Sequence, residues 1–125
     1  MITQIGNVTV VVSDIAKART FYRDKLGLRL SFYDKKHDWL CFDAGRVALS
    51  LTTPWNKAAK TLVGVKTGVS FYVDDIEKTC KDLKKKGVKF TLQPRKEPWG
   101  GILANFRDPD GNQFFLLQMP AGFAK

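Results

Sequence analysis

Gly68-Val69-Ser70-Phe71-Tyr72-Val73-Asp74-Asp75-Ile76 lies without a gap over Asn7-Val8-Thr9-Val10-Val11-Val12-Ser13-Asp14-Ile15. The β-branched opening of the earlier copy reads as a strand. Ser13 or Asp14 then caps a helix. In that helix Ile15, Ala18, Phe21, Tyr22 and Leu26 share one face, and Gly27 stops it. The later copy continues the same way. A helix over 76–86 turns Ile76, Cys80 and Leu83 inward and its lysines outward, and Gly87 ends it.

Three strand candidates follow each helix. They are 28–33, 38–43 and 47–52 after the first, and 88–93, 102–107 and 113–118 after the second. The last pair is joined by Arg107-Asp108-Pro109-Asp110-Gly111-Asn112, a tight turn in which Asp and Asn bond back to the backbone. The chain is therefore an α+β protein of two βαβββ modules: module 1–52, linker 53–67, module 68–118 and tail 119–125. One such unit buries only one face of its sheet, so two copies are needed to enclose anything between the other faces. One domain is the expectation.

Bulk properties narrow the class. At 125 residues a single domain, or two small halves, is the prior. No apolar run approaches the roughly 20 residues of a membrane span, and Met1-Ile2-Thr3-Gln4 does not open a secretory signal. Cys41 and Cys80 are too few for a disulfide scaffold, so a cytoplasmic protein is expected. The net charge of +9 owes much to Lys78, Lys81, Lys84, Lys85 and Lys86. These read as a solvated helix face rather than a nucleic-acid surface. Excess positive charge favours a neutral or anionic small-molecule ligand over a cationic one.

Period-2 alternation sorts the strand residues. Val8, Val10, Leu28, Leu30, Phe32, Leu40, Phe42, Leu49 and Leu51 suit the cover of a helix. Asn7, Thr9, Ser31, Tyr33, Trp39, Cys41, Asp43, Ser50, Ser70, Tyr72 and Phe115 make the other face mixed. A core does not tolerate so many unpaired polar groups. A ligand cleft wants aromatic walls with a few placed polar groups. Alternation alone leaves a cleft, a half-wet sheet face and a subunit interface open.

The doubled unit, the Val-Ser-Asp-Ile and Val-Asp-Asp-Ile helix entries, Phe21-Tyr22 followed by Lys25-Leu26-Gly27-Leu28, and Asp108-Pro109-Asp110-Gly111-Asn112 resemble the vicinal oxygen chelate superfamily. That group includes glyoxalase I, extradiol dioxygenases, fosfomycin-resistance enzymes and bleomycin-resistance proteins. The resemblance covers almost the whole chain and implies the glyoxalase/bleomycin resistance/dioxygenase fold, in which two βαβββ modules form a curled mixed sheet around a central cleft, commonly as a homodimer. Enzymes of the family hold a divalent metal on the first and last strand of each module, and the metal acts as a Lewis acid on the substrate. Carried across by motif, those positions are Asn7, Gly68, Ser50 (or its neighbour Leu49) and Phe115. None offers the His or carboxylate a catalytic metal wants. The only histidine, His37, falls in a turn and reads as exposed.

The expectation is thus a metal-independent, resistance-type binding protein with no metal ligands and no cofactor. It holds a drug or metabolite through Asn7, Tyr33, Ser50 and Asn105 as polar contacts and Trp39, Trp55, Trp99, Tyr72 and Phe115 as apolar ones. The alternative is a lyase, isomerase or dioxygenase-type enzyme with a relocated or metal-free site. Tyr33, Tyr72, Asp43, Glu97 or Cys41 would then supply acid–base or nucleophilic chemistry. No pair among them stands at diagnostic spacing.

Overall fold

Each repeat folds into a strand, a helix and three further strands, because each helix has one apolar face and each sheet needs a cover. The computed structural model describes residues 1–123. Ala124 and Lys125, the end of the expected tail 119–125, lie outside the described residues. The chain divides into two compact units, one of Met1–Val65 with Pro109–Gly111 and one of Lys66–Asp108 with Asn112 onward.

The first unit contains β1 (Asn7–Val11), α1 (Ile15–Arg19), β2 (Arg29–Asp34), β3 (Trp39–Ala44) and β4 (Val47–Thr52). Its sheet has the order β1-β4-β3-β2, with β1 parallel to β4 and the other pairs antiparallel. Asp14, not Ser13, caps α1, its carboxylate accepting the Lys17 N–H at 3.1 Å. Ser13 instead donates its N–H to Asp110 Oδ2 at 2.9 Å and its hydroxyl to Asp110 Oδ1. Beyond α1 the chain widens into a π-helical segment, Thr20–Lys25, in which Leu26 N–H reaches back five residues to the Phe21 carbonyl at 3.0 Å. The widened turn buries the consecutive aromatics Phe21 and Tyr22 together and stacks Tyr22 on Phe42, centroids 6.0 Å apart.

The second unit contains β5 (Lys66–Tyr72), α2 (Ile76–Lys85), β6 (Lys89–Lys96), β7 (Ile102–Arg107) and β8 (Gln113–Gln118). Its sheet order, β5-β8-β7-β6, repeats that of the first, with β5 parallel to β8. Asp75 caps α2 through Lys78 N–H at 3.1 Å, as Asp14 caps α1. Ile76, Cys80 and Leu83 are buried on the inner side of α2, while Lys78, Lys81, Lys84, Lys85 and Lys86 are exposed. Phe71, Phe106 and Phe114 stack on the helix-covered side of the sheet, and Phe90 tilts against Phe106. Burying each such ring contributes about 2–3 kcal/mol.

The stretch between the fourth and fifth strands is more ordered than its composition suggests. A short 3₁₀ helix, Ala58–Leu62, is capped by the Asn56 side chain, which accepts Ala59 N–H at 2.8 Å. Val63 then bridges to Val11, which is buried although it lies on the mixed side of β1. Gly64 has φ +79°, and a Cβ there would lie 2.9 Å from the Asp110 carbonyl oxygen, so only glycine fits. Strand β5 begins at Lys66, before the expected Gly68, because Lys66 pairs with Gln113 and Thr67 donates its hydroxyl to the Gln113 carbonyl at 2.7 Å.

One register feature changes which side chains share a face. In β2, Leu30 pairs with Phe42, but the next pair is Phe32 with Cys41, leaving Ser31 extra. In β6, Phe90 pairs with Phe106 and the next pair is Leu92 with Asn105, leaving Thr91 extra. Both second strands therefore bulge at the same place, and past the bulge the alternation inverts.

Candidate functional site

On each sheet the face away from its helix carries the candidate residues. Paired residues share a face, so the register gives the layout in rows across the strands. In the first unit one row is Asn7, Ala48, Asp43 and Arg29, the next is Thr9, Ser50, Cys41 and Phe32, and the third is Val11, Thr52, Trp39 and Asp34. Arg29 donates Nε–H to Asp43 Oδ2 at 2.8 Å, closing the end of the first row as an ion pair. Cys41 Sγ lies 3.5 Å from Ser50 Oγ, and Ser50 is fully buried. The extra residue, Ser31, donates its hydroxyl to the Cys41 carbonyl at 3.1 Å. Asn7 accepts the Thr9 hydroxyl at 3.3 Å on Oδ1.

Tyr33 departs from the expected arrangement. Past the Ser31 bulge it pairs with Leu40, on the helix-covered side, and the Arg19 guanidinium lies 5.2 Å over its ring. The extra residue inverts the period-2 count, so Tyr33 leaves the mixed face and Phe32 joins it. Phe32 and Trp39 then meet edge to face at 5.3 Å. Phe32 is the residue that simple alternation missed, and nothing local in β2 marks the bulge.

In the second unit the corresponding rows are Lys66, Gln113, Arg107 and Lys89, then Ser70, Phe115, Asn105 and Leu92. Tyr72 and Leu117 begin the third row, with Leu103 beside Leu117. Asn105 is buried, 8% exposed, and the Thr91 hydroxyl donates to its Oδ1. Tyr72 is half exposed and meets Phe123 edge to face at 6.4 Å. With Asp74, Gln118 and the 119–123 segment it lines a hollow of about 290 Å³.

Two of the expected tryptophans belong to turns. Trp55, 63% exposed, stands in the bend after β4. Trp99, 52% exposed, folds over its own turn between β6 and β7, where a Cβ on Gly101 would lie 2.2 Å from the indole ring. Asn7, Trp39 and Ser50 thus share the mixed face of the first sheet, and Tyr72, Asn105 and Phe115 that of the second.

His37 sits in the β2–β3 turn, exposed, its Nδ1 2.7 Å from Asp34 Oδ2. That hydrogen bond holds the Asp34 carboxyl below the usual carboxylate range. Burial behind α2 pushes the Cys80 thiol up. Both cysteines are buried and free.

With this geometry in view, the comparison with known proteins is direct. The model of the Glyoxalase/Bleomycin resistance protein/Dioxygenase superfamily matches residues 4–116. The chain belongs to this superfamily. A superfamily member from Sphaerobacter thermophilus is 34% identical, with a TM-score of 0.84 over 94% of this chain and 98% of that one. TnmS3, an antibiotic binding protein from a Streptomyces species, is 31% identical, with a TM-score of 0.80 over 94% of this chain and 96% of that one. A probable lactoylglutathione lyase of Synechocystis is 29% identical over 116 residues, 86% of this chain and 88% of the relative. The two open, curled four-stranded mixed sheets are those of the glyoxalase/bleomycin resistance fold.

Superfamily enzymes bind a divalent metal, and the register tests whether these residues fit one. Phe42 pairs with Leu49 and Cys41 with Ser50, as Phe106 pairs with Phe114 and Asn105 with Phe115. Ser50, not Leu49, is therefore the counterpart of Phe115. The first sheet offers an amide and a buried hydroxyl at Asn7 and Ser50; the second offers no side chain at Gly68 and a phenyl ring at Phe115. Among the described residues no group of three or more His, Cys, Asp or Glu side chains is placed to hold a metal ion. The donor chemistry at these positions does not fit the metal. Among the described residues no helix is long and apolar enough to cross a membrane.

Proposed function

We infer that this chain is a small-molecule binding protein of the glyoxalase/bleomycin resistance type, which holds a neutral or anionic drug or metabolite without a metal. The observation that carries the reading is the side-chain set at the four family metal positions, Asn7, Ser50, Gly68 and Phe115, against mixed faces that keep aromatic area beside placed amides and hydroxyls. Such surfaces orient a ligand through few polar contacts and hold it through flat apolar area. Likeness to an antibiotic binding protein supports the same reading. Asn7, Trp39 and Ser50 are the candidate contact residues of the first sheet's mixed face and Tyr72, Asn105 and Phe115 those of the second, each face taken by itself, with Trp55 and Trp99 as the aromatic candidates on their turns. Tyr33 acts only by supporting β2 from behind. The working form is a homodimer.

The test is a tryptophan-fluorescence titration of chelator-treated protein against a panel of antibiotics and aromatic metabolites. The expected result is saturable binding by at least one compound, unchanged by added zinc, nickel or manganese. One tightly bound divalent metal per chain, with binding lost on its removal, overturns the reading. Likeness to a probable lactoylglutathione lyase favours a second reading, an enzyme of the same superfamily. Metal-dependent turnover of a hemithioacetal would establish it.

A further inference from the structure

The two units place opposite chemistry at the same position. Where the first row of the first sheet ends in the ion pair Arg29–Asp43, the first row of the second ends in Lys89 directly opposite Arg107. Both cations are exposed, and no carboxylate among the described residues pairs with either. Two cations facing each other across a ladder repel, so this is not an arrangement that serves the sheet.

Asn105 lies two residues along β7 from Arg107 on the same face, about 7 Å away at strand rise. Its Oδ1 is held by the Thr91 hydroxyl, so the amide presents Nδ2 outward. Nδ2 has no partner among the described residues. Among the described residues no fully buried side-chain nitrogen or oxygen is left unpaired, so this N–H₂ group keeps some contact with solvent. Phe115 flanks Asn105 on the neighbouring strand, half-buried. An unpaired donor that reaches solvent on a largely buried residue, a flat ring beside it and two unneutralised cations at the end of the same face all ask for one kind of ligand.

We propose that the mixed face of the second sheet binds a planar aromatic anion, with its ring on Phe115, an acceptor oxygen on Asn105 Nδ2 and its carboxylate or sulfonate on Arg107 and Lys89. The proposal rests on the binding-protein reading and names its ligand class. Thr91 is a positioning residue, since its hydroxyl holds Asn105 Oδ1 and leaves Nδ2 to the ligand. Charge-assisted bonds to a guanidinium make Arg107 the stronger of the two cations.

The experiment compares two probes of one scaffold, anilinonaphthalene sulfonate and the uncharged phenylnaphthylamine, by fluorescence titration of the full chain. The sulfonate is expected to bind roughly tenfold tighter, with the preference shrinking as salt rises. Arg107→Gln with Lys89→Gln brings the two affinities together by weakening only the sulfonate, and Arg107→Lys restores part of the preference. Asn105→Asp, of the same shape, loses the sulfonate while keeping the neutral probe. Thr91→Val weakens the sulfonate and leaves the neutral probe, which has no oxygen for Asn105 Nδ2, unchanged. Equal affinities in the parent protein overturn the proposal and leave the binding-protein reading standing. A preference that survives the double substitution also overturns it. If neither probe binds, the proposal fails, and the broader reading is judged by its own compound panel.

Discussion

The two units share a backbone plan down to the place where each second strand bulges, yet their mixed faces differ at almost every matched position. Arg29–Asp43 answers to Lys89–Arg107, Cys41 to Asn105, Ser50 to Phe115 and Phe32 to Leu92. The helix-covered faces remain alike: Phe42 matches Phe106, and both are fully buried. Packing explains this asymmetry. A covered face is constrained by volume, and a lost ring leaves a cavity. A face without a helix on it is less tightly held by packing and tolerates a wider range of side chains. If the proposed binding role holds, the positions that differ between the two copies are where ligand contact is expected.

The first way to break this comparison is in the cores. Phe42→Ala and Phe106→Ala should each cost about 3–5 kcal/mol in urea unfolding, within about 1 kcal/mol of each other. A large inequality would mean that the two covered faces are not equivalent.

The second concerns the turns before the last strands. In the second unit Asp108 accepts the Asn112 N–H at 2.9 Å and its amide at 3.0 Å, and both residues are buried. The matching turn, Ala44-Gly45-Arg46, has no such side-chain pair. Asp108→Ala should cost about 2 kcal/mol by leaving buried donors unpaired. Arg46→Ala should change stability by less than about 0.5 kcal/mol.

The third concerns the charge pairs. Arg107→Glu converts the repelling pair with Lys89 into an attracting one and should stabilise the fold by about 0.5 kcal/mol. It should also abolish binding of the anionic probe. Asp43→Ala should change neither probe's affinity. Tighter sulfonate binding in Asp43→Ala, which frees Arg29 from its carboxylate, would move the anion site to the first sheet.

The smallest effect is expected at the β2–β3 turn. Asp34 has its pKa lowered by the His37 hydrogen bond, so its contribution to stability is present above the ordinary carboxylate pKa and fades as pH falls through the lowered value. Both side chains are substantially exposed, so an NMR titration of the Asp34 carboxyl is the measurement to make. His37→Ala should return its midpoint towards that of a free aspartate. An unchanged midpoint would show that the turn backbone, not His37, sets it.

Much of the fold was legible along the chain. The gapless repeat, the paired cap positions and the alternation in β3, β4 and β8 depend on neighbours one to four residues apart, and such patterns survive in a linear reading. The mixed face was legible for Asn7, Trp39, Ser50, Tyr72 and Phe115 for the same reason. Tyr33 was not, because a bulge is a property of two strands. Ser31 becomes the extra residue only when Phe32 meets Cys41, and that partner lies nine residues further along, on another strand.

The order within the linker was hidden likewise, since Val63 gains its place only from Val11 and Gly64 only from the Asp110 carbonyl. The sequence by itself determined the doubled unit, its helix entries and the absence of strong ligands at the family metal positions, because residue identity and local period suffice for these. Only the tertiary structure decided that Ser50 matches Phe115, that Phe32 replaces Tyr33, and that Lys89 faces Arg107 beside the oriented amide of Asn105. Each of those is a matter of register, and register is set by strands pairing across the sheet.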